Sequence, residues 1–89
     1  MKADHKKILK RLKIISGQID GIIKMVEEDR YCLDISNQIM AVNSALKSAN
    51  NEILKSHIEH CVKDSLNGNF SEVDQKIQEI SNIIQKMGK

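Results

Sequence analysis

Between Leu33 and Leu66 the chain runs without a glycine, and proline is absent from all 89 residues. Nothing in that stretch interrupts a helix, and its apolar side chains return at helical spacing. Ile35, Ile39, Val42, Leu46, Ala49 and Ile53 step by four and three, while Leu54, Ile58, Cys61 and Val62 continue a neighbouring stripe. The pattern predicts one long helix over about 33–66, with Asp34 or Ser36 as its N-cap and Asn50-Asn51 as its weakest point. A helix of about 30 residues is about 45 Å long, far more than a small globule requires. A rod with two apolar stripes wants more partners than one antiparallel neighbour, so an oligomeric helical bundle is expected.

The flanking segments carry the same period. Ile8, Leu12, Ile15, Ile19, Ile22 and Val26 line one face of a helix predicted from about Asp4 to Glu28, with Gly17 and Gly21 one turn apart on another stripe, read as a close-contact patch. "EEDRYC" ends this helix. After the turn "NGN", Ser71 with Asp74 offers a capping arrangement, and Val73, Ile77, Ile80, Ile84 and Met87 define a short third helix. Hydrophobic residues make up 40% of the chain and are mostly Ile, Leu and Val, with one Phe, one Tyr and no Trp, which suits aliphatic helix seams rather than a sheet. No segment repeats another and none reads as a flexible linker, so residues 1–89 are expected to form one all-α domain.

Residues 1–13 hold Lys2, Lys6, Lys7, Lys10, Arg11 and Lys13 against Asp4 alone, a charge of +5, and the remainder of the chain sums to −3. Such a cluster is commonly a solvated helix end, and it also suits a polyanion. The opening "MKADHKK" is followed by neither a signal-type apolar core nor a run long enough to span a bilayer, which points to the cytoplasm. In a reducing compartment the two cysteines are metal ligands or reactive thiols rather than a structural disulfide.

Those cysteines are Cys32 and Cys61, and the stretch "SHIEHCVKD" sets His57 four residues before the second. On a helix, His57 and Cys61 project from the same face one turn apart, whereas His60 lies about 100° around the axis. Two ligands make an incomplete site, and Cys32 is the natural third. If the long helix is continuous, however, 29 residues separate the cysteines, about 43 Å at helical rise. Either two copies pack antiparallel, so that Cys32 of one meets His57 and Cys61 of the other, or the chain folds back at Asn50-Asn51. Two thiolates and an imidazole form a soft, low-coordinate set that favours Cu(I), while structural zinc takes four ligands. No paired carboxylates, Gly-rich phosphate loop or Ser/His/Asp arrangement is present, so an enzyme is not expected.

The run "RLKIISGQIDGIIKMVEEDRYCLDISNQIMAVNSAL" followed by "HIEHC" resembles the CsoR/RcnR family of bacterial metal-sensing repressors, over essentially the whole chain. Cys32, His57 and Cys61 match the ligand set of its copper-sensing branch in spacing and type. The resemblance implies a three-helix protomer whose second helices pair antiparallel in a dimer, with two dimers forming a tetramer. It implies Cu(I) held by Cys32 of one protomer with His57 and Cys61 of the other, Tyr31 supporting the first ligand, and a ligand-free form that represses copper-export genes until Cu(I) weakens its hold on operator DNA. Nickel and cobalt responders have a histidine where Cys61 stands, formaldehyde responders have a proline where Lys2 stands, and persulfide sensors lack the histidine at position 57.

Two basic positions common in the family are Ile14 and Ser48 here, and the region of an acidic third-helix residue linked to the copper site is occupied by Gln75 or Lys76. No helix-turn-helix is evident. DNA contact is therefore expected from Lys6, Lys10, Arg11 and Lys13 of the first helix and Lys47 of the second, repeated around an oligomer. The alternatives are a persulfide- or redox-sensing repressor using Cys32 and Cys61, and a ligand-free helical adaptor.

Overall fold

The computed structural model describes the backbone of residues 1–68 and 70–87, and the side chains of all of these except 70–72. Three helices account for nearly all of it: α1 (His5–Glu27), α2 (Cys32–Leu66) and α3 (Phe70–Met87). No strand occurs among the described residues, and the expected all-α, three-helix protomer with a long central helix is what the chain forms. The helices divide between two compact units, one of Asp4–Asn51 and one that joins Met1–Ala3 to the chain from Glu52 onward.

In the Asp4–Asn51 unit, α1 starts where a carboxylate can satisfy its orphan amides. The Asp4 side chain accepts from the backbone N–H groups of Lys6 at 3.0 Å and Lys7 at 3.3 Å. The helix ends at Glu28 in a Schellman motif, with Arg30 N–H donating to the Met25 carbonyl and Asp29 N–H to that of Val26. Asp29 takes the left-handed conformation this requires, with φ 54°, which Asp tolerates better than most residues. The chain then turns directly into α2.

That second helix begins at Cys32, within a residue of the expected start, but its N-cap is not one of those expected. Tyr31 precedes it and its carbonyl accepts from Asp34 and Ile35, so Asp34 lies within the first turn and neither it nor Ser36 is the N-cap. An aspartate there still complements the positive end of the helix dipole. Asn50 and Asn51 are both helical and lie within the span of α2.

The apolar seams are only half used within one chain. On α1, Ile8 and Ile15 are buried, whereas Leu12, Ile19 and Val26 are exposed. On α2, Val42 and Ala49 are buried while Ile39 and Leu46 are not. Burial every seven residues is what a single helical neighbour provides, and the intervening members need a second one. Gly17 and Gly21 also depart from expectation, since a Cβ at either would meet nothing within 4 Å. Whatever close approach they serve is not made within the chain.

In the other unit, α2 from Glu52 onward is joined to α3 by a turn in which Gly68, at φ 88°, supplies the left-handed C′ residue that a side chain would strain. Cys61, Val73, Ile80 and the anchored Ala3 are buried here. One partly buried ion pair, Lys76 Nζ to Asp64 Oδ2 at 3.3 Å, ties α3 to α2. The cap expected from Ser71 rests on a side chain outside those described. Among the described residues, nineteen large hydrophobic side chains are exposed against eight buried hydrophobic ones, an imbalance that a soluble chain removes by associating with copies of itself.

Candidate metal centre

The second half of α2 presents two of the three expected ligands. Cys61 is a free thiol, 3% exposed, in an apolar groove of about 370 Å³ walled by Ile58, Val62 and Leu66 of α2 and by Val73, Ile77 and Ile80 of α3. His57, one turn earlier, is half-buried and lines a separate cavity of about 290 Å³ together with Ile53, Leu54, Glu79, Ile83, Met1 and Lys2. Ile80 lines both cavities. Cys61 and His57 thus line neighbouring cavities that share one buried aliphatic side chain on α3.

His60 is disposed as its position around the helix suggested. Its Nε2 lies 3.8 Å from Oδ1 of Asp64, the carboxylate that also holds Lys76. That arrangement explains what stands in the third-helix region where the sequence offered Gln75 or Lys76: Lys76 is anchored to an acid on α2, the reverse of an acid on α3. The pair could not be anticipated from sequence, because a spacing of twelve across a turn belongs to no helical period.

Cys32 is the first residue of α2, also a free thiol, and exposed, with Tyr31 at 62% exposure and Leu33 at 57% beside it in sequence. An aromatic and an aliphatic side chain standing in water next to a soft donor form a natural lip for a covering surface. Among the described residues, no three His, Cys, Asp or Glu side chains converge as a metal site. The donor set fits a soft metal by its chemistry.

On the basic helix, Lys6, Lys10 and Lys13 line a shallow cleft of about 500 Å³ with Leu9 and Ile14. Ile14, at 55% exposure, sits among these lysines where a further basic residue would extend the patch. Arg11 is half-buried and does not line this cleft, and Lys47 is exposed on α2.

Residues 4–86 match the family model described as "Metal-sensitive transcriptional repressor". The chain belongs to that family. A metal-sensitive repressor acts on DNA, and the family is one of regulators rather than enzymes. Among its relatives, the copper-sensing transcriptional repressor CsoR of Bacillus subtilis (strain 168) is 44% identical over 82 residues, covering 92% of this chain and 79% of that protein. The crystal structure of the copper-sensing repressor CsoR with Cu(I) from Geobacillus thermodenitrificans NG80-2 superposes with a TM-score of 0.83 at 38% identity, covering 94% of this chain and 85% of the other. The nickel-responsive transcriptional regulator InrS has the same fold, with a TM-score of 0.81 at 27% identity and coverage of 97% and 94%. The repressor fold thus serves more than one metal, and the donor atoms must distinguish them. No helix among the described residues is long and apolar enough to cross a membrane.

Proposed function

We propose that this repressor responds to Cu(I): without metal it binds operator DNA of copper-homeostasis genes, and Cu(I) releases it. The observation that carries this is the pairing of two free thiols with one imidazole at Cys32, Cys61 and His57, a soft set of three donors that suits low-coordinate Cu(I), whereas structural zinc takes four ligands. Similarity to relatives named as copper sensors supports the same choice.

The ligands come from two protomers. An unbroken α2 keeps Cys32 and Cys61 near its opposite ends, and antiparallel pairing of two such helices sets Cys32 of one protomer beside His57 and Cys61 of its partner, twice per dimer. Tyr31 then packs over the site as its neighbour on the Cys32 side. The exposed members of each seam, Leu12, Ile19, Ile39 and Leu46, supply the apolar surface for the dimer and for its pairing into a tetramer, with residues 1–89 acting as one metal-sensing, DNA-binding domain in the cytoplasm.

Lys6, Lys10, Arg11, Lys13 and Lys47 meet phosphates, so that affinity falls steeply with salt. Bound metal supplies a crosslink between protomers and favours an arrangement in which these patches no longer match the duplex. Linkage then requires that DNA weaken metal binding by the same factor. In a gel-shift titration with operator DNA, one Cu(I) per chain is expected to lower affinity at least tenfold, about 1.4 kcal/mol. Unchanged affinity would refute the reading, and a His57→Ala variant that still responds to persulfide would favour thiol sensing instead.

A further inference from the structure

We propose that the ion pair between Asp64 and Lys76 is a latch that holds α3 over the Cys61 thiol and so sets how fast an incoming group reaches it. Cys61 lines a groove yet is buried, and Val73 and Ile80 of α3 are buried with it. Those two side chains bracket Lys76, which follows Val73 by three residues and precedes Ile80 by four, so all three share a face of α3. On α2, Asp64 follows Cys61 by three residues, again on one face. The pair, at 3.3 Å, therefore sits on the same α2 and α3 seam that encloses the thiol.

Around the thiol the seam is mainly aliphatic, with Ile58, Val62 and Leu66 of α2 lining the groove with Ile77 and Ile80 of α3. Apolar contact is non-directional and leaves the angle between two helices loosely fixed, whereas a charge-assisted hydrogen bond has a direction. Both partners are partly buried, so water and salt screen this pair less than an exposed one. The Asp64 carboxylate is also steadied on its own helix, where His60 Nε2 lies 3.8 Å from the other oxygen. Loss of either charge removes the directional tie and raises the fraction of time that α3 stands away from Cys61. The inference concerns the metal-free chain, whichever group Cys61 later takes, so its failure leaves the copper reading untouched.

The test is alkylation of the reduced, metal-free full chain by iodoacetamide, a neutral reagent, with Cys32 and Cys61 followed separately by peptide mass spectrometry. Lys76→Met and Asp64→Asn are each expected to speed Cys61 about fivefold, the effect of losing a partly buried pair, and to leave the exposed Cys32 unchanged. These substitutions alter the charge near the thiol in opposite senses, so a rise in both reports opening rather than a change in the thiolate. The double variant should be no faster than either single one, and the reversed pair, Asp64→Lys with Lys76→Asp, should restore the slow rate. An unchanged Cys61 rate in both single variants, effects that multiply in the double variant, or a reversed pair as fast as the single variants would overturn the proposal.

Discussion

The two ends of α2 offer the same thiol in opposite settings. Cys61 is sunk in an aliphatic groove against α3, while Cys32 opens the helix as an exposed thiol between Tyr31 and Leu33. A buried cysteine by itself reads as a small core residue, and an exposed one as incidental. In the proposed shared site they are the two halves of a joint: one end a buried thiol with an imidazole one turn away, and the other an exposed donor with apolar neighbours. The difference teaches that one kind of donor can stand in two environments on one helix, which the proposed shared site uses as two half-sites.

The largest effect separates function from stability at these two ends. Cys32→Ser and Cys61→Ala are both expected to weaken Cu(I) binding by at least about 100-fold in a chelator competition. Thermal melting should nevertheless tell them apart, with no loss at the exposed Cys32 and a loss of about 1 kcal/mol at the buried Cys61. Equal melting losses would mean that Cys32 is covered in solution even without metal. The next effect probes what covers the exposed seam. Leu46→Glu puts a charge on an α2 surface that is 42% exposed in one chain, and should weaken self-association about 30-fold or more, about 2 kcal/mol, in sedimentation. Undiminished association would move the dimer contact elsewhere.

The smallest effect has a sign that depends on the partner. Gly17→Ala and Gly21→Ala face open space in the single chain, so each should stabilise α1 by about 0.5–1 kcal/mol. If a second copy packs its backbone against that stripe, both substitutions would instead destabilise the oligomer, and comparison of melting at low and high protein concentration separates the cases.

Much of the fold was legible because one physical rule dominates it. Four-three spacing with glycine confined to four positions and no proline is enough to place three helices, and Asp4, Glu28 and Gly68 fall where caps and turns require them. The start of α2 was placed to within a residue, but its N-cap was misjudged because Asp34 is attractive both as a cap and as a first-turn acid, and the backbone bonds to Tyr31 decided for the latter. Periodicity also could not say which half of each seam one chain buries, since that depends on how many neighbours the helix has. At the candidate site, a spacing of four sufficed to put His57 and Cys61 one turn apart on α2, while the approach of His60 to Asp64 is likewise an i, i+4 relation. The nearness of Met1 to His57 and of Lys76 to Asp64 had no signature, because each joins segments brought together by the turn or by the chain's opening residues.

The claim on which the account rests is that each metal site is shared between two protomers. Mixing a Cys32→Ala chain with a Cys61→Ala chain tests it directly, since neither homodimer retains a complete site. In the mixed dimer one site draws Cys32 from one chain and His57 with Cys61 from the other, and the account predicts tight binding of one Cu(I) per mixed dimer. If the ligands came from a single chain, mixing would restore none, and the shared site would be contradicted.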